Sequence, residues 1–181
     1  DLIAKSATRL RRTGTFSSVV LREAEQPNPD GTLAFTAVAE DLPPRRPTFG
    51  AEISSSDGVE LSGSWMHRNL FGAAKKLRFE ARVSGIGGSS DIDGRIAVRL
   101  DRPATLGPDD NIFYLAEAER LDQEHFTATH GLGGIGVRRP LSDPLFAEAP
   151  VRLDSPLHPA SLGQRRFTSA LPILRAQPAA P

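Results

Sequence analysis

The chain has 181 residues, with 22 basic and 22 acidic side chains that cancel and no cysteine at all. That length is room for one domain or one with a small appendage. The balanced charge argues against a nucleic-acid or polyanion binder, and the missing thiols exclude disulfides, thiolate zinc sites and cysteine nucleophiles. No run approaches the roughly eighteen apolar residues of a transmembrane helix, whereas a transmembrane β-barrel, whose strands need only about ten alternating residues each, stays open.

Asp1 is placed to cap a short helix with Ile3, Ala7 and Leu10 on one face and Arg9, Arg11 and Arg12 near its end, where the helix dipole favours cations. These arginines read as solvated. Gly14 stops the helix. Thr15 to Ala24 reads as a strand, Asn28 to Gly31 as a turn and Thr32 to Glu40 as the hairpin partner. Pro43, Pro44 and Pro47 suggest a stiff connector over 43–48. With neither an initiator methionine nor a signal peptide before the helix, the start reads as cut.

Past the connector the chain alternates. Phe49, Ala51 and Ile53 are interleaved with Gly50, Glu52 and Ser54; Val59, Leu61, Gly63 and Trp65 with Glu60, Ser62, Ser64 and Met66. Leu77, Phe79, Ala81 and Val83 oppose Lys76, Arg78, Glu80 and Arg82, and Ile96, Val98 and Leu100 oppose Arg95, Arg99 and Asp101. Ile112 to Glu119 and Phe126 to Val137 are less clean, because Phe113 and Leu115 share a face with Glu117 and Glu119. Six strands with one apolar and one polar face fit a soluble antiparallel domain that holds a lipid or another apolar ligand. They equally fit a barrel with a charged, water-filled lumen and Trp65 at an interfacial girdle. From Pro140 to Pro181 eight of the fifteen prolines crowd into 42 residues, so this tail is expected to be irregular.

The stretch from Ser56 to Gly85 carries a more specific signal. His67-Arg-Asn-Leu-Phe-Gly72 and the strands around it resemble the first barrel strands of TamA-type proteins, outer-membrane relatives of BamA, in which this signature ends the second barrel strand and turns into the third. Arg102 to Pro108 is similar to that family's Arg-Pro-x-x-x-Gly turn. The opening α-β-β unit, with Gly14 to Val19, resembles the end of a polypeptide-transport-associated (POTRA) domain. The resemblance implies a mainly β chain with one short N-terminal helix: the end of a POTRA domain over 1–42, a linker over 43–48, and an antiparallel meander over 49–139 forming the first strands of an incomplete transmembrane barrel.

It further implies an outer-membrane location with the N-terminal part in the periplasm, a TamB-like inner-membrane-anchored partner, unfolded outer-membrane protein clients and contact with outer-membrane lipid. No cofactor, metal or bond-making chemistry is expected. The implied mechanism is strand templating at the open edge of the first barrel strand, here Phe49, Gly50, Ala51, Glu52, Ile53 and Ser54. His67, Arg68, Asn69, Leu70, Phe71 and Gly72 form the structural motif, with Leu70 and Phe71 anchoring the turn. The lipid-facing set is Val59, Leu61, Trp65, Leu77, Phe79, Val83, Ile96 and Val98. Six strands cannot close a barrel, which needs at least eight, and the family's Arg-Gly-aromatic loop triplet is absent; the chain reads as a fragment or truncated homologue.

Two chemical look-alikes carry less. Gly131-Leu-Gly-Gly-Ile-Gly136 has dinucleotide-binding spacing but runs into Val-Arg-Arg-Pro instead of a helix, so glycines within a coiled strand are the better reading. His67 with Asp57 lacks a nucleophile elbow, and histidines at 67, 125, 130 and 158 lack metal spacing.

Overall fold

The computed structural model describes residues 2–55, 58–88, 92–123, 126–141, 145–156, 166–169 and 173–176. Helix α1 (Leu2–Arg12) leads into strands β1 (Phe16–Glu23) and β2 (Phe35–Asp41), which among the described residues pair only with each other. The proposed cap, Asp1, lies outside the described residues. Thr13 and Gly14 close the helix by donating their N–H groups to the Leu10 and Arg11 carbonyls, and Gly14 takes the left-handed backbone (φ 64°) that ends it. Val19 of β1 and Ala7 of α1 are buried, so the apolar helix face expected from the sequence has its counterpart on the hairpin.

The rest is one antiparallel meander: β3 (Arg45–Ser54), β4 (Gly58–His67), β5 (Lys76–Ile86), β6 (Asp93–Pro103), β7 (Asn111–Gln123), β8 (Phe126–Pro140) and β9 (Leu145–Pro156), with two short strands, β10 (Arg166–Ser169) and β11 (Ile173–Ala176), both paired with β9. All six expected strands are present, and β5 and β6, at eleven residues each, have the length of a tilted membrane-crossing strand. Among the described residues β3 pairs with β4 alone, so the sheet is open.

Two boundaries differ most from the sequence reading. Strand β3 begins at Arg45, inside the expected linker, because Pro47 sits where an edge strand tolerates a missing donor. The stretch after Pro140, expected to be irregular, contains the twelve-residue strand β9, in which Ala149, Val151 and Leu153 alternate with Glu148, Pro150, Arg152 and Asp154. Proline content misleads here because a single proline interrupts one side of a strand only. On the β10/β11 side, pairing stops at Glu148 and resumes at Val151, so the break spans Pro150, while β8 pairs along the whole strand.

Register carries one apolar face across the sheet. Ile53 lies opposite Val59, Ala51 opposite Leu61 and Pro47 opposite Trp65; Trp65 then faces Phe79, Phe79 faces Val98, Val98 faces Ala116, and Tyr114 faces Ile135, which faces Val151. In a soluble sandwich these side chains would meet those of a second sheet. Here Leu61, Phe79, Val83, Ile96, Val98, Tyr114, Ile135 and Val151 are all exposed, and the buried hydrophobic residues among those described reduce to Ala7, Val19 and Phe113.

Candidate functional site

The opposite face is polar, with Phe113 and Glu148 buried, Glu60, Glu117, Arg99 and Asp101 partly so, and Arg78, Glu80, Arg82 and Arg95 about half exposed. Register sets Arg82 directly against Arg95 and Arg78 against Arg99, like charges side by side. The carboxylates that balance them come from flanking strands for Arg82 and Arg95, and from the same strand for Arg78, which meets Glu80 at 3.6 Å, and for Arg99. Glu60 of β4 accepts from Arg82 at 2.5 Å, and Glu117 of β7 takes both Nε and Nη2 of Arg95 at 2.8 Å. Arg99 pairs with Asp101 at 3.0 Å and approaches Glu148 of β9 at 3.9 Å. The arginine rows on β5 and β6 are therefore neutralised by a belt that runs from β4 to β9.

At the centre of this belt stands Phe113, fully buried on the polar face, with the Arg99 guanidinium 4.0 Å above its ring. The glycine-rich run explains how it fits. Gly131 to Gly136 lies in the middle of β8, with no strand-to-helix turn; Gly136 is opposite Phe113 and Gly134 opposite Leu115. A Cβ on Gly136 would overlap the Phe113 ring, 2.7 Å from Cε1, and one on Gly134 would come within 3.3 Å of Leu115 Cγ. The spacing that mimics a nucleotide fingerprint is room for two apolar side chains on a charged face.

The expected motif from His67 to Gly72 ends β4 and makes the turn into β5. It is held by Leu70 N–H to the Lys75 carbonyl (2.8 Å) and by Ala74 N–H to Asn69 Oδ1 (2.9 Å). Phe71 anchors nothing: it is 89% exposed at the tip, because it takes the left-handed conformation (φ 57°) together with Gly72, Ala73 and Ala74 and swings away from the sheet. Arg68 has the larger contact role. Its carbonyl accepts from Thr15 Oγ1 (3.4 Å), and its guanidinium reaches the Gly14 carbonyl (3.5 Å).

A second contact ties the α-β-β unit to the same end of the sheet. Arg9 donates through Nε and Nη2 to Asp109, at 2.9 and 2.7 Å, in the turn between β6 and β7. These hydrogen bonds hold the Asp109 carboxyl below the usual carboxylate range, against a smaller opposing effect of desolvation. In the same turn Asp110 is buried and takes both donors of Arg139 at 2.6 and 2.9 Å. Arg11 donates to the Val19 carbonyl at 2.8 Å. The arginines read as solvated are thus engaged: Arg9 and Arg11 have the reach to meet acceptors that only the tertiary fold brings near.

Of the expected lipid-facing set, Leu61, Phe79, Val83, Ile96 and Val98 are exposed and Val59, Trp65 and Leu77 half-buried, all on the apolar face. Sequence reasoning missed Tyr114, Ile135 and Val151 on that face. The expected edge residues Phe49, Ala51 and Ile53 share it, and Phe49 and Ile53 are 85% and 82% exposed because among the described residues no strand flanks them on that side. Gly50, Glu52 and Ser54 lie on the other side of β3. The candidate site is this open edge together with the exposed band beside it. His67 stacks obliquely near Trp65, with ring centroids 5.9 Å apart, and its Nδ1 accepts from the Asn69 N–H; Asp57, His125 and His158 lie outside the described residues. Among the described residues no three metal-ligating side chains cluster.

No protein-family model matches the chain, and no curated protein matches it. Among solved structures it is similar to the crystal structure of BamA from Haemophilus ducreyi lacking POTRA domains 1-3, with a TM-score of 0.58 and 13% sequence identity over 86% of this chain. The chain has a BamA-like barrel fold in part. It spans 30% of that BamA chain's length, which agrees with an open sheet.

Proposed function

We infer that the chain is part of a TamA-like outer-membrane assembly factor that templates client strands on the open edge of β3. The observation that carries this reading is a continuous band of large exposed apolar side chains on one face of the sheet, opposite a face of paired charges and next to an unpaired strand. Lipid is the medium that makes such a band favourable, and an unpaired edge in a membrane protein is costly unless another strand fills it. The α-β-β unit is then the end of a POTRA domain on the periplasmic side, where Arg9 and Arg68 tie it to the turns after β6 and β4. A TamB-like protein, unfolded outer-membrane protein clients and outer-membrane lipid are the partners this reading names. It requires no cofactor and no bond-making chemistry. A soluble lipid-binding domain would need the apolar side chains to meet across two sheets, and they lie on one.

The test uses the absence of native cysteine. The chain carrying Ala51→Cys is mixed, in detergent micelles, with an unfolded outer-membrane barrel protein that bears single cysteines along its last strand. Disulfides are expected from position 51 and not from a cysteine at Ala97, which sits in the middle of the sheet between β5 and β7. Equal yield at both positions, or none at either, sinks the reading.

A further inference from the structure

The edge of β3 does not offer all of its length. Arg68 donates its N–H to the Pro44 carbonyl at 2.8 Å, and the unbroken register from Arg45 opposite His67 to Ser54 opposite Gly58 makes this the next pair of the same ladder. Hydrogen-bonded and non-hydrogen-bonded pairs alternate along an antiparallel ladder. Positions 46, 48, 50, 52 and 54 therefore spend their N–H and C=O groups on β4, as Pro44 does its carbonyl. Arg45, Pro47, Phe49, Ala51 and Ile53 turn theirs to the unpaired edge. Pro47 has no N–H to give there. The uninterrupted run of edge donors and acceptors is Phe49, Ala51 and Ile53.

The side chains of these three residues lie on the exposed apolar face, so a strand that pairs here places its own apolar residues directly opposite them. On the polar face Glu52 lies opposite Glu60, whose charge is already held by Arg82; a cation on the incoming strand opposite Glu52 relieves that like-charge contact. We propose that Pro47 is a register stop, and that β3 accepts a client strand over Phe49 to Ile53 only, with alternate apolar residues opposite Phe49, Ala51 and Ile53 and a cation opposite Glu52. This rests on the templating function inferred above and adds which part of the edge is used and what fits it.

The experiment uses the full chain in detergent micelles, with single cysteines at positions 45, 49, 51 or 53, and a synthetic peptide of alternating valine and threonine with one lysine and a cysteine scanned along it. Directly opposed strand residues lie within disulfide range. The expected result is that positions 49, 51 and 53 each react with one peptide position, in steps of two along the peptide. Position 45, beyond the missing donor, gives about fivefold less product, as the loss of one net ladder bond implies. Combining Arg45→Cys with Pro47→Thr restores the yield at 45, and in the Pro47→Thr background positions 49 to 53 react with more than one peptide position. Moving the peptide's lysine away from Glu52 lowers all yields.

Yields at 45 equal to those at 49 in the presence of Pro47, or no change on Pro47→Thr, overturn the register stop while leaving the templating function standing. No peptide adduct at any position overturns both. Disulfides between position 51 of one copy and position 51 of another, in place of peptide adducts, make a second copy of this chain the occupant and overturn the proposal.

Discussion

Arginine in place of Val98 is expected to cost about 2–4 kcal/mol of stability in a bilayer, the range for a cation on the lipid face of a barrel near the midplane. Val98 lies in the middle of β6 with Phe79 on one side and Ala116 on the other, and is exposed on the apolar face. An arginine there has no carboxylate on its face within the neighbouring pairs. The adjacent Ala97→Arg supplies the control, because position 97 points to the polar face between Glu80 and Glu117. It is expected to be neutral or mildly stabilising. Urea titration of both variants in lipid vesicles, followed by tryptophan fluorescence, measures the difference. Equal costs for the two would mean that the faces are not segregated between lipid and water.

Phe113→Ala is expected to destabilise the sheet by about 3–5 kcal/mol, the usual range for removing a buried phenylalanine. The ring fills the space left by Gly136 and underlies the Arg99 guanidinium, so its loss opens a cavity and removes the platform that holds Arg99 between Asp101 and Glu148. Phe113→Leu, which keeps most of the volume but loses the ring face, is expected to fall between alanine and the native residue. The same vesicle titration reads both. An alanine variant within about 0.5 kcal/mol of the parent, the usual scatter of surface changes, would show that Phe113 does not organise the charged belt.

The alternation of β3 to β6 was legible because side-chain direction in a strand is local, and a period of two needs no knowledge of neighbours. Pairing is not local. Arg78, Glu80 and Arg82 alternate along β5, and Arg95, Arg99 and Asp101 along β6, but register sets arginine against arginine, and the Glu60 and Glu117 that balance Arg82 and Arg95 come from the strands beyond. Phe113 and Leu115 made β7 look irregular when read alone. The signal that resolves them is the glycine spacing on β8, which acquires its meaning only once Gly136 is known to face Phe113 and Gly134 to face Leu115.

Edge behaviour was the least legible part. Pro47 reads in sequence as one of three connector prolines, and only the ladder parity set by the Arg68 and Pro44 contact places its missing donor at the open edge. In the proline-rich end, composition outweighed the alternation of Ala149, Val151 and Leu153 with Glu148, Arg152 and Asp154, and β9 was missed. The motif from His67 to Gly72 was placed at its turn, but its docking contact through Arg68 depends on Gly14 and Thr15, more than fifty residues away.

If the exposed apolar face meets lipid, Trp65, the sole tryptophan, reports on it directly. It lies on that face two residues before the end of β4, on the side of the sheet where the α-β-β unit docks. In vesicles of lipids brominated at defined depths along the acyl chain, its fluorescence should be quenched most strongly by bromines nearest the headgroups, as for an interfacial girdle residue. Fluorescence untouched by bromine at any depth, with the protein monodisperse in plain buffer, would mean that this face does not meet lipid.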